Sequence, residues 1–373
     1  MKKSSLRLVI LGLLLAACGD SSVTPRVYDT AAIEAQVDAW LAATPEVDGA
    51  GLIIVHRDDG VVLEAAFGSH QPGRISLVAS SSKAPTAMVL LGVQDQGLLD
   101  LDEPIVDAVG EWEGSNPEVT PAQLLSNSSG LVGLAGNPTY GPYLCQYIYT
   151  GTMQECANRI FTTPDDDADV IQPDTEFRYG GGQWQVAGGV AEIVTGKSWA
   201  TLVDEILVEP CGMEGFGYTN PFVMLPASPL GPFAYPDFDG DLDDLLPTEN
   251  PNMEGGLYTT TSAYGKILEI NLTGGTCGGR RVLSEKATEE AQRDRIGEVY
   301  GGSTGGNWEG YGLGWWVDRE TGLRFDPGAF GSVAWLDKER GYGAFVVIEA
   351  TSGLGVSLAY EILPLIEEAI DNR

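Results

Sequence analysis

Ser80 and Lys83 stand three residues apart in the stretch Val78-Ala79-Ser80-Ser81-Ser82-Lys83-Ala84-Pro85. On a helix that spacing puts both side chains on one face, where an amine can meet a hydroxyl. A serine hydroxyl is a poor nucleophile at its free pKa, and a neighbouring lysine activates it if partial burial lowers the amine's own pKa. The start of a helix adds oriented N–H groups near the place where an oxyanion would form. Of the seven lysines only Lys83 has serine at this spacing, and it lies among Ala, Val, Met and Leu rather than in a charged run. The competing reading is a helix cap followed by a solvated lysine.

Other hydrolytic chemistries are poorly supplied. The two histidines, His56 and His70, both precede Ser80 in or near strand-like runs and read as structural, so a Ser-His-Asp triad lacks its base. Two isolated histidines also make a poor zinc site, and neither metal nor cofactor is expected. The run Asp237-Phe238-Asp239-Gly240-Asp241-Leu242-Asp243-Asp244 spaces carboxylates as calcium loops do, but it lacks the glycine and glutamate placement of an EF-hand. A solvated acidic loop is expected there.

The elements that must hold Ser80 can be read around it. Ile33, Val37, Trp40 and Leu41 predict a first helix, and Gly51–Arg57 and Val61–Phe67 flank the hairpin signal Asp58-Asp59-Gly60. A helix follows Ser80, and Thr120-Pro121 caps a short one. Further helices are expected over Gln183–Val194 and Trp199–Leu207. Strands are expected at Gly312–Asp318, Ala329–Leu336 and Tyr342–Glu349, and a closing helix at Leu354–Ile370. Strands and helices thus alternate near both ends and not in the middle, which predicts an α/β part from about 33–95 and 252–370, interrupted by a mainly helical insertion over about 96–251.

Lys2, Lys3 and Arg7 precede an apolar run from Leu8 to Leu15 that closes on Leu15-Ala16-Ala17-Cys18, so residues 1–18 read as an export signal, too short to span a membrane. The ending resembles a bacterial lipobox, implying lipid on Cys18. Gly19 stands where many inner-membrane lipoproteins carry aspartate, so the outer membrane is the expected anchor in a Gram-negative cell. Residues 19–32 read as a tether. The formal net charge of −32 argues against nucleic acid as a partner. Four cysteines follow Cys18, and an even number in an exported chain predicts two disulfides. Three pairings are open; proximity favours Cys145–Cys156 and leaves Cys211–Cys277.

Several ordered motifs carry a resemblance over residues 33–368. Ala79-Ser80-Ser81-Ser82-Lys83, Gln96-Gly97-Leu98-Leu99-Asp100-Leu101-Asp102-Glu103-Pro104, Leu124-Leu125-Ser126-Asn127-Ser128-Ser129-Gly130-Leu131, Phe177-Arg178-Tyr179-Gly180-Gly181, Glu254-Gly255-Gly256-Leu257-Tyr258 and Tyr311-Gly312-Leu313-Gly314-Trp315 follow one another in the expected sequence. Together they resemble the serine β-lactamase and penicillin-binding protein-like hydrolases, in the class C-like branch that includes family VIII-type esterases. The resemblance implies a β-lactamase/transpeptidase-like α/β fold of the α+β type, an antiparallel sheet flanked by helices plus a mainly helical part. It makes Ser80 the nucleophile, Lys83 the residue that holds or relays its proton, and Tyr179 a second base whose phenol Lys83 draws down. Asp326-Pro327-Gly328 falls on the third motif of the family, on an edge-type strand, so Ala329 and Ser80 would offer backbone N–H groups to an oxyanion.

Two positions depart from the family pattern. Gly181 stands where a Tyr-x-Asn motif has asparagine, and Asp326 stands where lysine or histidine draws in a substrate carboxylate, which aspartate would repel. The expected activity is therefore hydrolysis of a small neutral ester or amide through a Ser80 acyl-enzyme, at a membrane reached through the lipid anchor. A β-lactamase or D-Ala-D-Ala carboxypeptidase is the alternative enzyme. A catalytically silent binding lipoprotein is the alternative outside catalysis.

Overall fold

The computed structural model describes residues 26–110, 112, 116–134, 140–163, 169–224 and 235–372. The leader with Cys18 and tether residues 19–25 lie outside the described residues. None of the described helices is long and apolar enough to cross a membrane.

A seven-stranded antiparallel sheet forms the centre: β1 (Gly49–His56), β2 (Gly60–Gly68), β3 (Gly310–Tyr311), β4 (Trp316–Val317), β5 (Arg324–Pro327), β6 (Ser332–Asp337) and β7 (Tyr342–Val347). Their spatial order is β2-β1-β7-β6-β5-β4-β3, so β1 from the start of the chain pairs with β7 from its end. Every residue of β1 is buried. Its alternation serves two cores: Leu52 and Ile54 pack on one face with Ile33, Val37, Trp335 and Ile362, whereas Ile53 and Val55 pack on the other with Met88, Leu268 and Phe345. A run of apolar residues covered on both faces is what an interior strand requires.

The first face is covered by α1 (Ala31–Ala43) and by α5 (Ser352–Asp371). Against the second lie α2 (Lys83–Asp95) and α4 (Thr261–Leu272), with the helical part beyond, including α3 (Gly181–Thr195). Residues Lys83 to Val93 are all buried, so α2 is the axle between sheet and helical part. The antiparallel sheet flanked by helices agrees with the sequence. In detail, the strand expected at Gly312–Asp318 is two short strands around a turn, because Gly314 takes φ +87° beside the backbone of Lys83 and Ala84. The strand expected from Ala329 starts at Ser332, and residues 329–331 turn instead. β5 is not an edge strand, since β4 and β3 lie outside it. Disulfides join Cys145 to Cys156 and Cys211 to Cys277.

Candidate active site

Ser80 lies in a 3₁₀ turn, Ala79–Ser82, that runs directly into α2. Ala79 enters this turn at φ +45°, an uncommon conformation for a residue with a Cβ, and such strain persists only where the surroundings enforce it. Here two serines do so. The Ser81 hydroxyl donates to the Asp326 carbonyl at 2.7 Å and lies 2.8 Å from Ser332 Oγ, which itself donates to the Val78 carbonyl at 2.8 Å. Ser82 Oγ accepts from the Leu257 N–H at 2.9 Å, tying the turn to the segment after Glu254.

Lys83 Nζ is 3.2 Å from Ser80 Oγ, 3.1 Å from Glu254 Oε2 and 3.3 Å from the Glu254 carbonyl, and stands 4.4 Å from the centre of the Tyr179 ring. Tyr179 sits just before α3. Its carbonyl accepts from the Leu134 N–H at 2.6 Å, and Asn127 grips its neighbours: Oδ1 receives the Gly180 N–H at 3.4 Å, Gln183 Nε2 at 2.8 Å and Trp184 Nε1 at 3.1 Å. Asn127 holds φ +56°, a conformation asparagine tolerates well. Tyr179, distant in sequence, is thus brought to the local pair Ser80 and Lys83.

The protonation expected from sequence needs correcting twice. Burial pulls the Lys83 amine down, but the Tyr179 and Glu254 oxygens outweigh it, and the amine sits above its ordinary value rather than below. Tyr179 is also raised: burial pushes it up, and Lys83 offsets only part of that. At neutral pH the resting site therefore pairs an ammonium with a protonated phenol.

Asp326 is corrected as well. Its carboxyl is 1% exposed and turned away from the cavity, with Oδ2 accepting from Tyr264 Oη at 3.2 Å and from the Ala84 N–H at 3.3 Å. Burial raises its pKa well above the carboxylate range, with Lys83 opposing. It therefore presents no repelling charge to a substrate. Gly328 does not line the cavity either; it packs so tightly on the residues before the nucleophile that a Cβ would fall 1.9 Å from the Val78 carbonyl. Ala329 does line it, and among the described residues no acceptor takes its N–H.

A cavity of about 260 Å³ opens beside Ser80, bounded by Leu134, Tyr147, Tyr179, Phe222, Glu254, Trp316 and Ala329. Trp316 packs against Tyr179 at 5.3 Å and against Phe177 at 5.6 Å, making one wall aromatic. Among the described residues no lysine or arginine lines this cavity. Residues 135–139 and 225–234, which follow the linings at Leu134 and Phe222, contain none in sequence.

Residues 37–363 match the family model described as Beta-lactamase. The chain belongs to the beta-lactamase family. Among its relatives, Penicillin-binding protein 4 of Amycolatopsis lactamdurans is 25% identical over 322 residues, covering 82% of this chain and 77% of the relative. Esterase EstB of Burkholderia gladioli is 26% identical over 228 residues, covering 54% and 56%. The octameric penicillin-binding protein homologue from Pyrococcus abyssi shares the fold with a TM-score of 0.69 and 21% identity, over 91% of this chain and 78% of that one. This beta-lactamase-family protein is a serine hydrolase.

Glu254 and Tyr147 were not recognised from sequence as site residues. Glu254 is 5% exposed and receives Tyr147 Oη at 3.4 Å on Oε1. Glu254 opens a family-like landmark, which was its available signal; Tyr147 had none. Neither histidine lines the cavity; both are buried, and burial lowers the pKa of His70. In the Asp237–Asp244 run, Asp239 and Asp241 each accept a backbone N–H two residues on, and among the described residues no metal-binding cluster occurs.

Proposed function

We propose that this serine hydrolase cleaves a neutral ester or amide through an acyl-enzyme on Ser80. The observation that carries the reading is the 3.2 Å approach of Lys83 Nζ to Ser80 Oγ beside a largely apolar cavity that no lysine or arginine lines among the described residues. Ser80 Oγ attacks the acyl carbon while its proton passes to the Tyr179 oxygen, in its base form and steadied by the Lys83 ammonium. The carbonyl oxygen becomes an oxyanion facing the Ser80 and Ala329 N–H groups. The acyl–leaving-group bond then breaks, the departing alkoxide or amine takes the proton from Tyr179, and the acyl group stays on Ser80. Water, giving a proton to the same base, attacks the acyl carbon of the ester; the bond from that carbon to Ser80 Oγ breaks, Tyr179 returns the proton to Oγ, and the acid leaves. Leu134, Phe222 and Trp316 favour an apolar acyl or alcohol portion.

The β-lactamase and carboxypeptidase alternatives require a cation for the substrate's carboxylate, and none lines the cavity among the described residues. Export, lipid on Cys18 and an outer-membrane address are part of the same proposal, supported by the leader sequence and by two disulfides, which persist in oxidising compartments.

The test is intact-protein mass spectrometry on the full chain in detergent with a fluorophosphonate, a short-chain p-nitrophenyl ester and a β-lactam, beside Ser80→Ala. The expected result is an adduct and ester turnover that vanish in Ser80→Ala, with little β-lactam acylation. Rapid β-lactam acylation would favour the penicillin-recognising alternative. No adduct from any reagent on folded protein would leave a binding role.

A further inference from the structure

The missing asparagine and the unforeseen glutamate meet at one point. An ideal Cβ on Gly181 would lie 2.1 Å from Glu254 Oε1, 2.3 Å from its Cδ and 2.2 Å from Gln146 Oε1. The volume a side chain at 181 would enter is therefore filled from the other side by the Glu254 carboxylate. Gly181 is the first residue of α3 and is not in the left-handed region, so its backbone does not demand glycine; the space does. Residue 254 then grips Lys83 with both carboxylate and carbonyl, at 3.1 and 3.3 Å.

We propose that Glu254 is a positioning residue, its carboxylate standing where the family's asparagine amide would and holding the Lys83 ammonium against Ser80. The proposal rests on the reading of Ser80 as nucleophile. An amide orients a lysine without fixing its charge, whereas a buried carboxylate and a buried ammonium each need the other. Residues 181 and 254 are thus one unit: glycine makes room, and glutamate uses it.

Lys83 is faced by Ser80 from its own turn, by Tyr179 ahead of α3, by Glu254, and by Asp326 from β5; Glu254 is faced in addition by Tyr147. The Glu254 charge raises both Lys83 and Tyr179. Its removal lowers both, so the rising limb of activity moves to lower pH whichever of the two accepts the serine proton.

The experiment compares wild type, Ser80→Ala, Gly181→Asn, Glu254→Ala, Glu254→Gln and the double variant Gly181→Asn/Glu254→Ala, reading the rate of Ser80 labelling by a fluorophosphonate on the full chain. Gly181→Asn drives Glu254 off Lys83, and Glu254→Ala deletes it; each is expected to slow labelling about 10²-fold, as ångström-scale misplacement of a catalytic group does. The double variant, which restores an amide to the vacated space, is expected to return within about tenfold of wild type. The near-isosteric Glu254→Gln, which keeps the packing, is expected to shift the pH limb downward. Single variants labelling like wild type, a double no faster than the singles, or an unmoved pH limb in Glu254→Gln would each overturn the proposal. If wild type itself is not labelled, or Ser80→Ala is labelled equally, it is the Ser80 reading that fails.

Discussion

Gly328→Ala tests the oxyanion site through a single methyl. The added Cβ would lie 1.9 Å from the Val78 carbonyl and 2.4 Å from Ser332 Oγ. Val78 is two residues before Ser80, and Ala329 follows Gly328 directly. The contact must lengthen from 1.9 Å to the 3.4 Å at which ordinary packing begins, and neither partner is a flexible chain end: one is backbone, and the other is held by Val78 and Ser81. Relief therefore separates the 328–331 turn from the nucleophile turn and carries the Ala329 N–H away from the carbonyl it should meet. Losing one such donor costs on the order of 3 kcal/mol in the transition state, or about 10²-fold in kcat. The strain itself costs about 1–3 kcal/mol of stability. Steady-state hydrolysis of a short-chain p-nitrophenyl ester, with melting followed in parallel, separates the two effects. The expectation is a kcat lower by about 10²-fold, a KM changed little, and a cooperative melt at reduced temperature. A variant that melts lower yet keeps kcat within about twofold of wild type would refute the reasoning, because the Ala329 N–H would then not be facing developing charge.

Three further outcomes are expected. Because burial holds the Tyr179 phenol above its ordinary value of 10.0, its base form accumulates only on the alkaline side, and kcat/KM for ester hydrolysis should still be climbing at about pH 9; a plateau reached below neutrality would contradict that assignment. Asp326 binds a proton more tightly folded than unfolded, so the wild type loses stability as pH rises from the ordinary 3.8 through the raised folded value; the melting-temperature gain of Asp326→Asn over wild type should grow between pH 4 and pH 8, and a gain that shrinks would show the carboxylate to be stabilised in place. The Cys211–Cys277 bridge spans 66 residues and Cys145–Cys156 spans 11, so chain entropy assigns them about 4 and about 3 kcal/mol respectively. Serine pairs at the two bridges, compared by denaturant melts, should rank in that order.

What could be read from the sequence follows the range of the interactions. Ser80 and Lys83 are a local pair, and the apolar β1 run and the Thr120-Pro121 cap are local patterns, the latter appearing as a full capping box with Gln123. Tyr179 came through the family motif, since nothing near it in sequence marks a base. Asp326 lies on β5, but a motif carries no direction for its carboxyl, which is set by Tyr264 and the Ala84 N–H, both remote in the chain. Gly181 read as a deletion because its replacement arrives from residue 254 through space. The pKa directions of Lys83 and Tyr179 were missed for the same reason, as both depend on that carboxylate and on complete burial.

The pairing of β1 with β7 makes the hydrolase a late event in its own synthesis. β1 is among the first parts of the domain to be made, yet its partner ends at residue 347, and the sheet edge it offers stays open until then. The nucleophile turn is held by Ser332 and the Asp326 carbonyl, which also arrive near the end. An incomplete chain therefore owns Ser80, Lys83 and Tyr179 but not the frame that aligns them, so reactivity at Ser80 reports that the whole domain has been made and closed.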